Sequence, residues 1–187
     1  MRCPGSANPD QLLTPSTPAD LQRLHAAYAS GVYCFLLTLT HDAGVAEDLL
    51  QEVFVKLARD VSGLKQSDSE AAWIFKMARN GALDWRRRCQ VRQNTANQFV
   101  DLSSAFVAPD DPDAAAIQRR LTQQLAALPE EQSAVVHLHL WEGMTFREIS
   151  VIQEVALPTV TSRYRYGIQT LRTALQPLYN ELYDASH

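Results

Sequence analysis

Apolar residues recur at helical steps along most of the chain. Leu21, Leu24, Tyr28, Val32, Phe35, Leu36 and Leu39 predict a first helix ending near Thr40. Thr17-Pro18 opens it, a capping hydroxyl followed by Pro at the first helical position. Gly31 interrupts that stripe without breaking its period. His41-Asp42-Ala43-Gly44 reads as a turn, in which Asp42 or its neighbour caps the next helix and His41 is a solvated loop residue. In the second helix Val45, Leu49, Leu50, Val53, Phe54 and Leu57 form the inner face, and Glu47, Asp48, Gln51 and Glu52 the outer side. A polar loop over Asp60 to Ser69 precedes a third helix, which starts near Ser69 or Glu70 and packs through positions that include Trp73, Ile74, Met77, Ala78, Gly81 and Trp85. Periodicity fails from Gln90 to Asp113, then resumes at Ile117, Leu121, Leu125 and Leu128. Pro129-Glu130-Glu131 opens a fifth helix with Val135, Val136, Leu138 and Leu140 among its apolar positions, and Gly143 stops it.

Thr145 to Leu175 carries the strongest pattern. Thr145 and Glu148 have capping-box spacing, and Phe146, Ile149 and Ile152 face inward. After a break at Gln153 to Leu157, Pro158 suits the first turn of another helix. Val160, Tyr164, Ile168, Leu171 and Leu175 form its buried stripe, and Gln176-Pro177 is expected to end it. Thr159, Thr161, Ser162, Arg163, Arg165 and Arg172 lie mostly off the stripe, with no acid between Pro158 and Leu175. Hydroxyls and arginines on one helix suit phosphates and base edges, so the pair reads as a helix-turn-helix. The plainer alternative is a helical hairpin with a solvated basic face.

Few strand-like runs and seven glycines favour an all-α fold. The length of 187 residues suits one large domain or two small ones. We divide it into a flexible tail at 1–17, a helical domain at 18–92, a flexible linker at 93–112 and a helix-turn-helix domain at 113–178. The formal charge of −4 rules out a general nucleic-acid glue. Charge is segregated, however. Residues 73–92 hold Lys76, Arg79, Arg86, Arg87, Arg88 and Arg92 against Asp84 alone, whereas residues 42–54 hold four acids and no base. Such asymmetry predicts one anionic partner and one that is not. A cluster of arginines beside Trp73 and Trp85 can grip phosphates and stack bases, although bases also suit a helix C-terminus.

Cys3, Cys34 and Cys89 form neither a zinc pattern nor a disulfide framework, which points to reduced thiols in a cytoplasm. His137 and His139 stand two apart, a poor metal pair on a helix. No metal, nucleotide or other cofactor site is expected, nor a signal peptide or membrane insertion.

Two separated stretches together resemble the sigma-70 family of bacterial RNA polymerase sigma factors, most closely its small extracytoplasmic-function group. Ala46 to Leu57 (AEDLLQEVFVKL) and Trp73 to Arg88 (WIFKMARNGALDWRRR) resemble the family's second conserved region. Leu128 to Arg163 resembles its fourth. The resemblance implies a protein that binds core RNA polymerase, directs it to promoter DNA and is not an enzyme. It implies that Asp48, Leu49, Gln51, Glu52 and Phe54 belong to the polymerase-docking motif. It implies that Arg79, Asn80, Asp84, Arg86, Arg87 and Arg88 engage and melt the minus-ten element. The loop Asp60 to Ser69 takes the place where relatives capture a flipped base. Thr159, Thr161, Ser162, Arg163 and Arg165 fall on the helix that reads the minus-thirty-five element. An anti-sigma factor is a further partner of the kind that relatives have.

The chain departs from that pattern in three places. Glu154 stands where the family usually has Gly, and a left-handed residue there is strained by about 1 kcal/mol, so a reshaped break is expected. Thr161 replaces a common Lys, and Cys89-Gln90-Val91 interrupts a basic run. Three other readings remain: a free-standing helix-turn-helix regulator that never touches polymerase, a nucleic-acid enzyme such as a recombinase, and a sigma-like protein that has become only an interaction partner. The first leaves Asp48 to Phe54 without a role; the second lacks a catalytic cluster.

Overall fold

The computed structural model describes residues 18–59, 69–92, 120–121 and 123–185. The tail at 1–17, most of the loop from Asp60, the linker at 93–112 and Ile117 lie outside the described residues. Six helices carry the fold: α1 (Pro18–Thr40), α2 (Ala43–Arg59), α3 (Glu70–Arg92), α4 (Glu130–Leu140), α5 (Phe146–Gln153) and α6 (Leu157–Ala185). A helical stretch at residues 123–126 leads into α4. The described residues contain no strand.

Local chemistry sets most helix starts. Asp42 Oδ1 accepts from Val45 N at 3.0 Å, and Ser69 Oγ from Ala72 N at 3.2 Å. The capping box at α5 is complete: Thr145 accepts from Glu148 N at 3.2 Å, and Glu148 Oε2 accepts from Thr145 N at 2.9 Å. Each such cap satisfies backbone donors that a helix start leaves unpaired. Gly143 closes the turn after α4 at φ 66, a left-handed conformation that glycine adopts without strain.

Four expectations are corrected. Glu154 does not reshape the break between α5 and α6. It takes the left-handed conformation itself, φ 55 and ψ 41, and its N–H caps α5 on the Ser150 carbonyl. Pro177 does not end α6, which runs on to Ala185. Proline removes one backbone donor, but the residues after it are ordinary helix formers, and Gln176 Nε2 donates to Asn180 Oδ1 at 3.1 Å across the site. Leu140 is 52% exposed, because α4 has already turned its apolar face away at its last residue. His41 is half-buried at φ 52, where its N–H closes α1 on the Leu37 carbonyl at 3.0 Å.

The N-terminal helices pack as a group, α1 against α2 and α3, and α2 against α3. Phe35 and Phe75 meet edge-on with ring centroids 5.5 Å apart. The C-terminal helices form a second group, α4 against α5 and α6. His139, Phe146 and Tyr164 make its aromatic corner, with centroids 4.5–5.1 Å apart.

These groups also pack on each other, α1 against α4 and α3 against α5. Leu24, Phe35, Leu36 and Ile74 share one buried cluster with Val135, Leu138, Met144, Ile149 and Val160. That explains why every residue from Phe35 to Thr40 on α1, and from Ser133 to Leu138 on α4, is buried. A helix buried all round has neighbours on both sides. His137 is fully buried at this contact, its Nδ1 3.2 Å from Thr38 Oγ1 and its ring 5.6 Å from that of Phe35. The Thr38 hydroxyl donates to the Cys34 carbonyl at 2.9 Å, and the other ring nitrogen of His137, Nε2, lies 3.4 Å from Glu142 Oε1, so the ring stands between a hydroxyl of α1 and a carboxylate.

Candidate nucleic-acid and partner interface

The acidic helix presents what its periodicity predicts. Asp48, Gln51 and Glu52 are exposed on α2. Leu49 and Phe54 are buried in the core, where they hold the helix rather than face a partner. Val55 is exposed beside the acids, so the face combines carboxylates with an apolar spot. Lys56 lies 3.9 Å from Glu52, a solvated i,i+4 pair of little energetic consequence.

On α3, Asn80, Asp84, Arg87 and Arg88 are exposed. Asp84 gathers its neighbours: its carboxylate lies 3.5 Å from Arg87 Nη1, and its carbonyl accepts from Arg88 Nε at 3.2 Å. Beside them is a shallow groove of about 250 Å³, lined by Trp73, Lys76, Met77, Asn80, Gly81 and Asp84 of α3 and by Lys56 of α2, so two ammonium groups there face one carboxylate. Flat apolar walls, an amide at the rim and two ammonium groups suit a planar, anionic-backed group such as an unstacked nucleotide. Arg79 and Arg86 are placed differently. Arg86 pairs with Glu130 at the start of α4. Arg79 is half-buried against the helix-turn-helix, and burial pushes its guanidinium below the usual range. Glu154 and Glu131 act against that shift, and the nearby Arg163 adds to it.

The reading helix is likewise divided. Thr159, Thr161 and Arg165 are exposed on α6. The Thr161 hydroxyl donates to the Leu157 carbonyl at 3.0 Å, and Arg165 lies 5.1 Å from the centre of the Tyr166 ring. Ser162 and Arg163 are half-buried. Arg163 Nη1 donates to Gln153 Oε1 at 2.7 Å, and Gln153, itself buried, donates to the Glu131 carbonyl at 3.2 Å.

Sequence reasoning missed the seam between the two groups. Lys76 Nζ lies 2.9 Å from Glu154 Oε1, and Ser69 Oγ donates to Glu148 Oε1 at 3.0 Å. Glu142, just after α4, reaches α1: a Cβ added to Gly31 falls 2.5 Å from its carboxylate. Gly31 therefore marks a close approach, not merely a tolerated interruption. The signal was present in the runs Phe35 to Leu39 (FLLTL) and Ala134 to Leu138 (AVVHL), both too apolar for helices with a solvated side. No helix of the described residues is long and apolar enough to cross a membrane.

Comparison with known proteins places both groups. The Sigma-70 region 2 family matches residues 24–92, and the Sigma-70 region 4 family matches residues 118–171. The extracytoplasmic-function (ECF) RNA polymerase sigma factor SigK of Mycobacterium bovis is 33% identical over 154 residues, which cover 78% of this chain and 80% of that one. The ECF factor SigX of Bacillus subtilis is 29% identical over 170 residues, 87% of each chain. Among solved structures, the sigma factor RpoE of Bartonella quintana, co-crystallised with the anti-sigma factor NepR, superposes with a TM-score of 0.72. That match is 18% identical, covers 84% of this chain and 97% of the other, and speaks to fold alone. With two family matches in order over most of its length and an ECF relative above 30% identity across more than three quarters of it, the chain belongs to the sigma-70 family and is an ECF RNA polymerase sigma factor.

Proposed function

We propose that this sigma factor docks on core RNA polymerase through the face of α2 formed by Asp48, Gln51 and Glu52, with Leu49 and Phe54 holding that face from beneath. The minus-ten element is engaged from α3, where Asn80 and the Trp73–Met77 groove take an unstacked base while Arg79, Arg86, Arg87 and Arg88 take the backbone. The minus-thirty-five element is read by the first turns of α6 through Thr159, Thr161, Ser162, Arg163 and Arg165. The chain performs no covalent step. Opening of the duplex is driven by binding energy, at a few kcal/mol for each base held out of the stack. Its place of action is the cytoplasm, with polymerase, and a protein of the anti-sigma class is a further partner.

The observation that supports this assignment best is the separation of charge on one scaffold. An exposed acidic face on α2 and an exposed basic end on α3 serve two different partners without interfering. Co-purification with core polymerase, followed by run-off transcription from a promoter carrying both elements, tests the reading. The expected result is co-elution and a discrete transcript that depends on both elements. Binding to DNA with no co-elution would favour the free-standing regulator instead.

A further inference from the structure

We infer that Tyr166 is a positioning residue for promoter selection: its ring holds the Arg165 guanidinium ready for a guanine of the minus-thirty-five element. This rests on the reading of α6 as the helix that enters the duplex, and it names the base and the pair of side chains that discriminate.

The setting of α6 is fixed from behind. Val160 and Leu171 are buried on its inner side, and a Cβ added to Gly167 between them would fall 2.9 Å from Val136 Cγ2 of α4. So close an approach leaves the helix little freedom to roll. At about 100° per residue, Arg165 falls opposite Gly167, with Tyr166 on the flank between them. Both are exposed, Tyr166 by 53%. Tyr164, two residues earlier, packs against His139 and Phe146. Tyr166 packs in neither apolar cluster. Its ring meets a cation instead: the Arg165 guanidinium carbon lies 5.1 Å from the ring centre, inside cation–π range.

Other side chains on these turns are engaged within the helix-turn-helix. Arg163 Nη1 donates to Gln153 Oε1 at 2.7 Å, and Gln153 is anchored on the Glu131 carbonyl. The Thr161 hydroxyl uses its hydrogen on the Leu157 carbonyl. Arg165 is the arginine of these turns that stands exposed. Guanine offers O6 and N7 side by side in the major groove, and the planar arginine fork matches both. A freely rotating arginine loses rotamer freedom when it makes that match. A guanidinium stacked on a ring has given up that freedom beforehand and keeps its in-plane N–H donors clear. Tyr166 thus sharpens a base choice that Arg165 makes. The contact favours the seated fork by about two- to fivefold where it is exposed, and by more once DNA excludes water.

The test is run-off transcription by holoenzyme assembled from core polymerase and the full-length chain. The templates derive from a promoter that the wild-type holoenzyme transcribes, with its upstream element randomised and each version marked by a barcode in the transcribed region. Sequencing the transcripts gives the base preference at every upstream position. Arg165→Ala is expected to flatten a guanine preference at one position. Tyr166→Ala should weaken the preference at that same position by about two- to fivefold and spare the others. Tyr166→Phe keeps the ring and should keep the wild-type preference. Tyr166→Leu keeps bulk without a π face and should behave as Tyr166→Ala. Circular dichroism confirms that each variant retains its helix content. A wild-type profile in Tyr166→Ala or Tyr166→Leu would overturn the inference. Loss of the preference in Tyr166→Phe would overturn it too, by assigning the effect to the hydroxyl. If Arg165→Ala flattens the guanine position and Tyr166→Ala does not, the positioning role alone is lost. If no upstream preference depends on Arg165, its minus-thirty-five role falls as well.

Discussion

Leu138→Ala offers the sharpest test of the shared core. Leu138 lies on α4, is fully buried, and belongs to the same apolar cluster as Phe35, Leu36 and Ile74 of the N-terminal helices. Leu→Ala in a packed interior costs about 2–5 kcal/mol, with the larger values where the walls cannot collapse. Here the walls come from two helical groups, each fixed by its own contacts, so about 3–4 kcal/mol is expected. At about 2–4 °C per kcal/mol for a chain of this size, the melting temperature should fall by roughly 10 °C. The tryptophans make the coupling visible. Trp73 and Trp85 are on α3 and report the N-terminal group, while Trp141 follows α4 and reports the other. Trp141→Phe leaves the first pair of reporters, and Trp73→Phe with Trp85→Phe leaves the second. In both backgrounds Leu138→Ala should lower the melting temperature by the same amount. Leu140→Ala is the control on the same helix: its side chain is 52% exposed, and the change should stay within about 0.5 kcal/mol. If Leu138→Ala shifts the Trp141 signal and leaves the α3 signal in place, the groups do not melt as one body and the shared core contributes no stability between them.

Three further outcomes follow from the sites. Asp48→Lys with Glu52→Lys should abolish co-elution with core polymerase at unchanged helicity, since both residues are exposed; retained co-elution would remove α2 from the interface. Arg87→Ala with Arg88→Ala should lower the salt slope of holoenzyme binding to a single-stranded minus-ten probe by roughly 0.7 per lost phosphate contact, and an unaltered slope would make them a solvated helix end. Burial pushes the Glu148 carboxyl up, but donors from the Thr145 N–H and hydroxyl and from Ser69 outweigh it and hold the carboxyl below its usual range. The folded state therefore binds that proton more weakly than the unfolded chain. The stability it contributes is present above roughly pH 4.3 and fades as pH falls through the lower folded value. Glu148→Gln should flatten that part of the acid unfolding curve, and a curve of unchanged shape would show that the capping box does not titrate there.

The helices were legible because their boundaries are chemical and local. Pro18, Asp42, Ser69 and Thr145 act within a few residues of themselves, and those starts were read as they stand. Pro177 misled for the same reason: its local cost is real, but the helix formers beyond it carry α6 through. The exposed residues Asp48, Glu52, Arg87 and Arg165 were found because charge on an outer face needs no knowledge of the rest of the fold. The seam was not legible, since it joins residues remote in the chain. Lys76, Arg79, Arg86 and Arg163 look alike as free cations in sequence. Their carboxylate and amide partners emerge only when α3 meets α4 and α5.

The contact between Thr38 and His137 spans 99 residues, and it has a consequence during synthesis. A ribosome adds about 5–20 residues per second, so α1 leaves the tunnel roughly 5–20 s before α4 exists to cover it. Through that interval α2 and α3 can close on one side of α1 while its Phe35 to Leu39 run stays open to water on the other. The nascent chain thus carries a sticky helix end at the stage when neighbouring ribosomes offer copies of the same surface. Slowing translation between the codons for Arg92 and Glu130 would lengthen that exposure and should lower soluble yield, whereas a trigger-type chaperone that masks short apolar runs should restore it.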